Sequence, residues 1–187
     1  MRSNTTLVES FVLVLVLGAA WGCGGKKPDP FTAEVIREYA SLADLGEGTQ
    51  PQSGHVVGKA VLINVGETIS LHRFSAREQN HDIPSNTLSK AHGKINREIQ
   101  ASAPVEVDTV ILLKWSKEAL GETMAGTKYR LLCDVIIVDK SQRRVVARKP
   151  FTGDEPEFAT LYGASPEDQI VQYINALPRQ ASHRGAR

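Results

Sequence analysis

His72, His81 and His92 stand close together in the chain, beside Arg77, Glu78 and Asp82. Imidazole with carboxylate is a donor set for zinc or copper. Yet no two of these histidines are spaced i,i+4 on a helix, and the run follows no ligand motif. The plainer reading is three solvated histidines in a polar loop and helix, so no metal site is expected. Serines are many, but there is no Gly-x-Ser-x-Gly elbow. Cys133 falls in the middle of an apolar strand pattern, where a thiol is inert. Carboxylates pair at Glu106/Asp108, predicted on the solvent face of a strand, and gather at Asp154, Glu155 and Glu157 on a loop. Neither group sits in a cleft motif that general acid–base chemistry would use. Gly22, Gly24 and Gly25 follow no strand and open no helix, so they do not read as a phosphate loop. Arg143, Arg144, Arg148 and Lys149 cluster on one predicted strand. They suit an anionic lipid or glycan, or else they keep an edge strand soluble and unpaired. No catalytic residue and no cofactor is expected from these patterns.

The charge balance narrows the field further. Lys and Arg number 22 against 21 Asp and Glu, a net charge of +1 over 187 residues. A nucleic-acid protein usually carries a strong basic excess, so no nucleic-acid partner is expected. Two cysteines cannot build a disulfide scaffold or a thiolate zinc site. The length suits one domain with accessory segments.

The N-terminus reads as an address. Phe11 to Ala20 is an unbroken apolar run, and no charge falls between Ser10 and Gly25. A membrane-crossing helix needs about 20 apolar residues. This run is shorter and has the length of a secretory signal core. The stretch Ala20-Trp21-Gly22-Cys23 resembles the cleavage and acylation signal of bacterial lipoproteins. The resemblance implies that residues 1–22 are removed and that Cys23 carries a diacylglycerol. It further implies an extracytoplasmic protein, anchored by lipid to the cell membrane or the outer membrane. An ordinary cleaved signal, or an uncleaved anchor with an unmodified cysteine, are the alternatives. Residues 23–30, with Gly24, Gly25, Pro28 and Pro30, then form a tether that is flexible before it is stiff. Cys133 becomes the lone thiol of the folded domain. An oxidising compartment attacks exposed thiols, so Cys133 is expected to be buried.

The elements that must position these residues can be read in turn. Phe31 to Gly46 reads as a helix with Val35, Ile36, Tyr39, Leu42 and Ala43 on one face. Thr32 or Asp29 would cap it. Val56 to Val65 is a strand apolar on both faces, hence central or covered. Ser85 to Gln100 reads as a helix with a narrow stripe of Leu88, Ala91, Ile95 and Ile99. After Pro104 the alternation predicts a strand with Val105, Val107, Thr109, Ile111, Leu113 and Trp115 on one face. Ser116 to Lys128 reads as a polar connection. Tyr129 to Val138 is the next strand, with Leu131, Cys133, Val135 and Ile137 inward. Asp139 opens a turn, and Arg144 to Phe151 returns. Ser165, Pro166 and Asp168 punctuate the start of a last helix, whose stripe is Ile170, Val171, Ile174 and Leu177. Pro178 stops it, and a basic tail, 179–187, is predicted disordered.

The pieces Thr109 to Trp115, Val135 to Asp139, Val145 to Lys149 with Phe151 and Gly153, and Ile170 to Pro178 resemble small secreted or lipid-anchored bacterial proteins of unassigned function. What they share is strand and helix core, which implies a fold and no catalytic residue. The expectation is therefore a single α+β domain over 31–178, an antiparallel β-meander packed by helices. Trp115, Leu131, Cys133, Val135, Ile137, Phe151, Ile170 and Ile174 are expected in one core cluster. The expected role is a non-catalytic accessory or binding module of the cell envelope, its partners the membrane through Cys23 and an envelope protein or glycan. The alternatives are an envelope enzyme with a site around His72 to His92, and a structural envelope component.

Overall fold

The computed structural model describes residues 31–45, 54–71, 82–158 and 160–182. The expected signal segment at 1–22, Cys23, the expected tether at 23–30, His72 and His81 lie outside the described residues. The first helix, α1, spans Ala33–Ala40 and runs on into a 3-10 turn at Ser41–Asp44. Thr32 Oγ1 caps it by accepting from Val35 N at 3.4 Å. Its apolar stripe buries Ile36, Tyr39 and Leu42.

Alternating β-branched and aliphatic residues build a mixed five-stranded sheet. Its strands are β2 (Lys59–Val65), β3 (Thr87–Leu88), β4 (Val107–Thr123), β5 (Gly126–Asp139) and β6 (Arg144–Thr152), in the order β3-β2-β4-β5-β6. β4, β5 and β6 form the expected antiparallel meander. β2 adds to β4 in parallel, which the meander expectation lacked. A short β1 (Val56–Val57) pairs in parallel with β7 (Arg179–Gln180). The buried Thr109 hydroxyl ties β1 to β4, accepting from Val57 N at 2.9 Å and donating to Val57 O at 2.7 Å.

The sheet is covered on both faces, which explains why its central strands are apolar at both parities. On one side Ile36, Tyr39 and Leu42 pack on Val61, Ile63, Val110, Leu112, Ile136 and Val138. On the other, helix α2 (Glu167–Ala176) and the crossover residues Ala91, Ile95 and Ile99 pack on Leu62, Ile111, Leu113, Cys133, Val135 and Ile137. All eight residues expected in one core cluster meet on this second face.

Several local readings are corrected. The stretch 85–100 is β3, a 3-10 turn at Lys90–Lys94 and further turns, not a helix. Gly93 interrupts the stripe, and Leu62 O binds Ser89 N at 3.0 Å, so the sheet edge claims backbone that a helix would need. The span 116–128 is not a connection. β4 and β5 run on as a long hairpin closed by Met124 and Ala125, since polar residues suit a strand with water on both faces. Val105 and Val107 leave the face of Ile111, because the β2–β4 register shifts so that Lys59 opposes Val107 and Ala60 opposes Thr109. Val105 sits exposed in a 3-10 turn, and Val107 faces the α1 layer. At α2 the cap is Pro166 rather than Ser165, whose hydroxyl accepts from Glu167 N at 3.3 Å. Asp168 closes no capping box; it binds Lys94 at 3.3 Å. Of the basic tail, Arg179 and Gln180 are strand β7, held by Val56 N donating to Pro178 O at 2.9 Å. Residues 183–187 lie outside the described residues.

Candidate functional site

The residues singled out by type disperse in the fold. His92 is buried in the 3-10 turn after β3. Its Nε2 lies 3.0 Å from Ala101 O, and its ring meets Phe31 edge-on at 5.9 Å. It is a packing residue at the junction of the crossover and α1. Among the described residues no group of three or more His, Cys, Asp or Glu is placed to hold a metal ion. Glu106 and Asp108 do not share a strand face, since Glu106 ends the 3-10 turn before β4. Both converge on Lys59: Glu106 accepts from its Nζ at 3.3 Å and Asp108 from its backbone N at 3.4 Å. The Ser102 amide and Lys59 hold the Glu106 carboxyl below its ordinary pKa. These carboxylates fasten the start of β2 to β4. Gly58, at φ +50°, turns the chain there, and a Cβ would lie 2.1 Å from Asp108 Oδ2. Glu155 forms an ion pair with Arg130.

Cys133 is buried beneath α2, and desolvation, with Asp134 next to it, drives its thiol pKa strongly upward. It is a small core residue. The basic cluster divides across β6, an edge strand of the sheet. Arg148 pairs with Asp134 at 3.0 Å, while Lys149 Nζ sits 4.4 Å over the Tyr173 ring on the α2 side. Arg148, Lys114 and Asp44 line a small cleft of about 230 Å³ beside α1.

A larger cavity, about 370 Å³, opens on the α2 side, where β2 ends and β4 continues without it. Its floor takes one side chain from each of three strands on the α2 face, stepping diagonally across the sheet: Asn64 on β2, Trp115 on β4 and Leu131 on β5. Its walls include Leu71, Ile83 and Leu88 from the crossover and Tyr162 from the loop after β6. Apolar pockets of some 300–1,000 Å³ are the usual size for small-ligand sites.

Several polar groups in the wall bond to the protein itself. Trp115 Nε1–H donates to Asn64 Oδ1 at 3.1 Å, Asn64 Nδ2 donates to Thr87 Oγ1 at 3.4 Å, and the Thr87 hydroxyl donates to Pro84 O at 2.9 Å. Ser89 Oγ accepts from Ala91 N at 3.2 Å. Tyr162 donates to Ser70 O at 3.2 Å and stacks on Tyr129 at 5.5 Å, with Lys117 Nζ 4.4 Å over the Tyr129 ring. Glu167 is held at 2.7 Å by Lys94, and its hydrogen bond and that of Asp168 raise the lysine's pKa.

Sequence patterns missed this site. Trp115 and Leu131 read as ordinary core positions. Between Gly66 and Pro84 the sequence suggests no more than a short strand at Ile69 to Phe74, of which the structure shows, among the described residues, a single bridge from Ile69 to Ile83. The floor becomes visible only once β2 is seen to stop at Val65 while β4 runs on to Thr123.

No family model matches the chain, and no curated protein matches its sequence. Among solved structures, the crystal structure of protein XCC0632 from Xanthomonas campestris is a weak likeness, with 14% identity and a TM-score of 0.29. The match covers 70% of this chain and 86% of that one. XCC0632 belongs to DUF330, a family of unassigned function.

Proposed function

We propose that this chain is a lipoprotein of the bacterial cell envelope, anchored through an acylated Cys23, whose folded domain is a non-catalytic binding module. The anchor is supported by Ala20-Trp21-Gly22-Cys23 behind an apolar run of signal length. The binding role is carried by one observation: a cavity of about 370 Å³ with Trp115, Leu131, Leu71 and Tyr162 in its lining, whose wall hydrogen bonds close on the protein itself. Most of the accessible lining is apolar, which suits recognition by shape and apolar contact.

Labelled palmitate tests the anchor. It is expected to enter the wild-type chain and not Cys23→Ala; equal labelling of the two would remove the lipoprotein reading. One acyl chain holds a protein to a membrane only marginally, so stable anchoring needs the several chains of a lipoprotein cysteine. Trp115 tests the module, because its indole lines the cavity. Ligand entry is expected to shift its emission, and an emission indifferent to every class of small solute would remove the binding role.

A further inference from the structure

The mouth of the cavity differs in chemistry from its floor. The floor residues Trp115, Leu131 and Asn64 are buried, and the polar edges of Trp115 and Asn64 bond to each other. The rim carries exposed residues of both charges and of none: Asp82, Lys90, Ala164 and Ser165. Trp115 Nε1 and Asn64 Oδ1 at the floor are already bonded to each other, so a sugar buried there would find few partners, and a polar group buried without a partner is costly. A wholly apolar molecule would fill the floor but leave its outer end in water. A molecule with an apolar tail and a hydrated head satisfies both ends.

We infer that the cavity takes the alkyl chain of an amphiphile, leaving the head group in water at the rim. An apolar cavity of roughly 150 Å³ holds a benzene ring, so about 370 Å³ has room for a chain of roughly a dozen carbons. Each methylene taken out of water adds to the affinity, so such a chain binds without a polar anchor. With Asp82 and Lys90 both at the rim, the head group contributes little to selection. The chain comes from a free amphiphile or from a membrane lipid; the tail chemistry is the same. This inference rests on the binding-module reading and names its ligand class.

The experiment uses the full-length chain carrying Trp21→Phe, which leaves Trp115 as its one tryptophan. Bromine quenches indole fluorescence on contact. A bromine-tipped dodecanol is expected to quench Trp115 to saturation, and unlabelled dodecanol to restore the emission by competition. Vesicles of phosphatidylcholine with brominated acyl chains identify the source: quenching by them assigns a membrane lipid, and quenching by the alcohol alone a free amphiphile. Ala164→Phe and Pro84→Phe, both at exposed rim positions, are expected to weaken quenching by about tenfold or more with an unchanged melting temperature. Undiminished quenching in two folded rim variants would place the chain elsewhere and overturn the inference. So would absence of quenching by either brominated probe. If a soluble oligosaccharide then shifts Trp115 emission, only the ligand class falls; if it does not, the binding-module reading falls too.

Discussion

The two halves of the β4–β5 hairpin share one hydrogen-bonded ladder and differ in almost everything else. From Val107 to Leu113 and from Val135 to Asp139 the strands are buried on both faces, whereas Ser116 to Thr123 are all exposed. Pairing crosses the boundary, from Thr109 opposite Asp139 to Ala119 opposite Tyr129, and resumes past an irregularity at Leu120 to end with Thr123 opposite Gly126. What ends is the company: β2 stops at Val65 opposite Lys114, and β6 at Thr152 opposite Leu132. Burial here comes from neighbouring strands and covering layers, and the ladder alone excludes no water. The loop after β6 takes over on one side only, where Tyr129 N donates to Leu161 O at 2.7 Å and Gly163 N to Tyr129 O at 3.2 Å. The cavity lies at this frontier, roofed by loop and α2 where the sheet has run out of strands.

The sharpest way to break this comparison is truncation on the buried side. Ile137→Ala is expected to cost about 2–5 kcal/mol in denaturant unfolding, since Ile137 is wholly buried under α2. A cost near zero would mean that the α2 layer does not seal this half. At the frontier, Gly163→Ala would put a Cβ 1.7 Å from Asp154 O, a backbone atom that must move. A loss of about 1–3 kcal/mol is expected. Thermal melting reads that loss, and changed Trp115 emission would show that the loop also shapes the cavity.

Cys133 adds a pH test of the buried half. Burial raises its pKa from the ordinary 9.0, so the folded thiol keeps its proton where the unfolded one ionises. Its contribution is present in full below about pH 9 and is lost as pH rises above it, by about 1.4 kcal/mol per pH unit. Unfolding free energies from neutral to alkaline pH should show this fall for the wild type and a shallower one for Cys133→Ala. Equal slopes would contradict the burial. A bulky thiol reagent should likewise label Cys133 only after denaturant is added. The smallest effect belongs to the exposed half: Leu120→Ala should change stability by no more than about 0.5 kcal/mol. A larger loss would show that the outer hairpin is covered in solution.

The legible parts of the sequence were those where one periodicity ran long enough to outvote local exceptions. The alternation from Leu131 to Ile137 and the stripe of Ile170 and Ile174 located the α2-side core and buried Cys133 correctly. Asp139 at the turn was equally plain, and its Oδ1 accepts from Ser141 N at 2.9 Å and Gln142 N at 3.1 Å. The stripe of Ala91, Ile95 and Ile99 did point inward, but on turns rather than a helix. Burial spacing near four residues is met by either when the sheet supplies the backbone partners.

The sequence by itself determined the meander of β4, β5 and β6 and the inward faces of β5 and α2, because these follow from nearest neighbours along the chain. Tertiary structure alone decided the parallel docking of β2 on β4, the register shift that turned Val107 to the α1 layer, and the point where β2 stops. It also decided which polar groups of the cavity wall face inward: Trp115 meets Asn64 across 51 positions of sequence, and Tyr162 meets Ser70 across 92. Contacts at such separations leave no periodic trace, since any donor and acceptor the fold brings together will serve, and a cavity has no residues of its own to leave one.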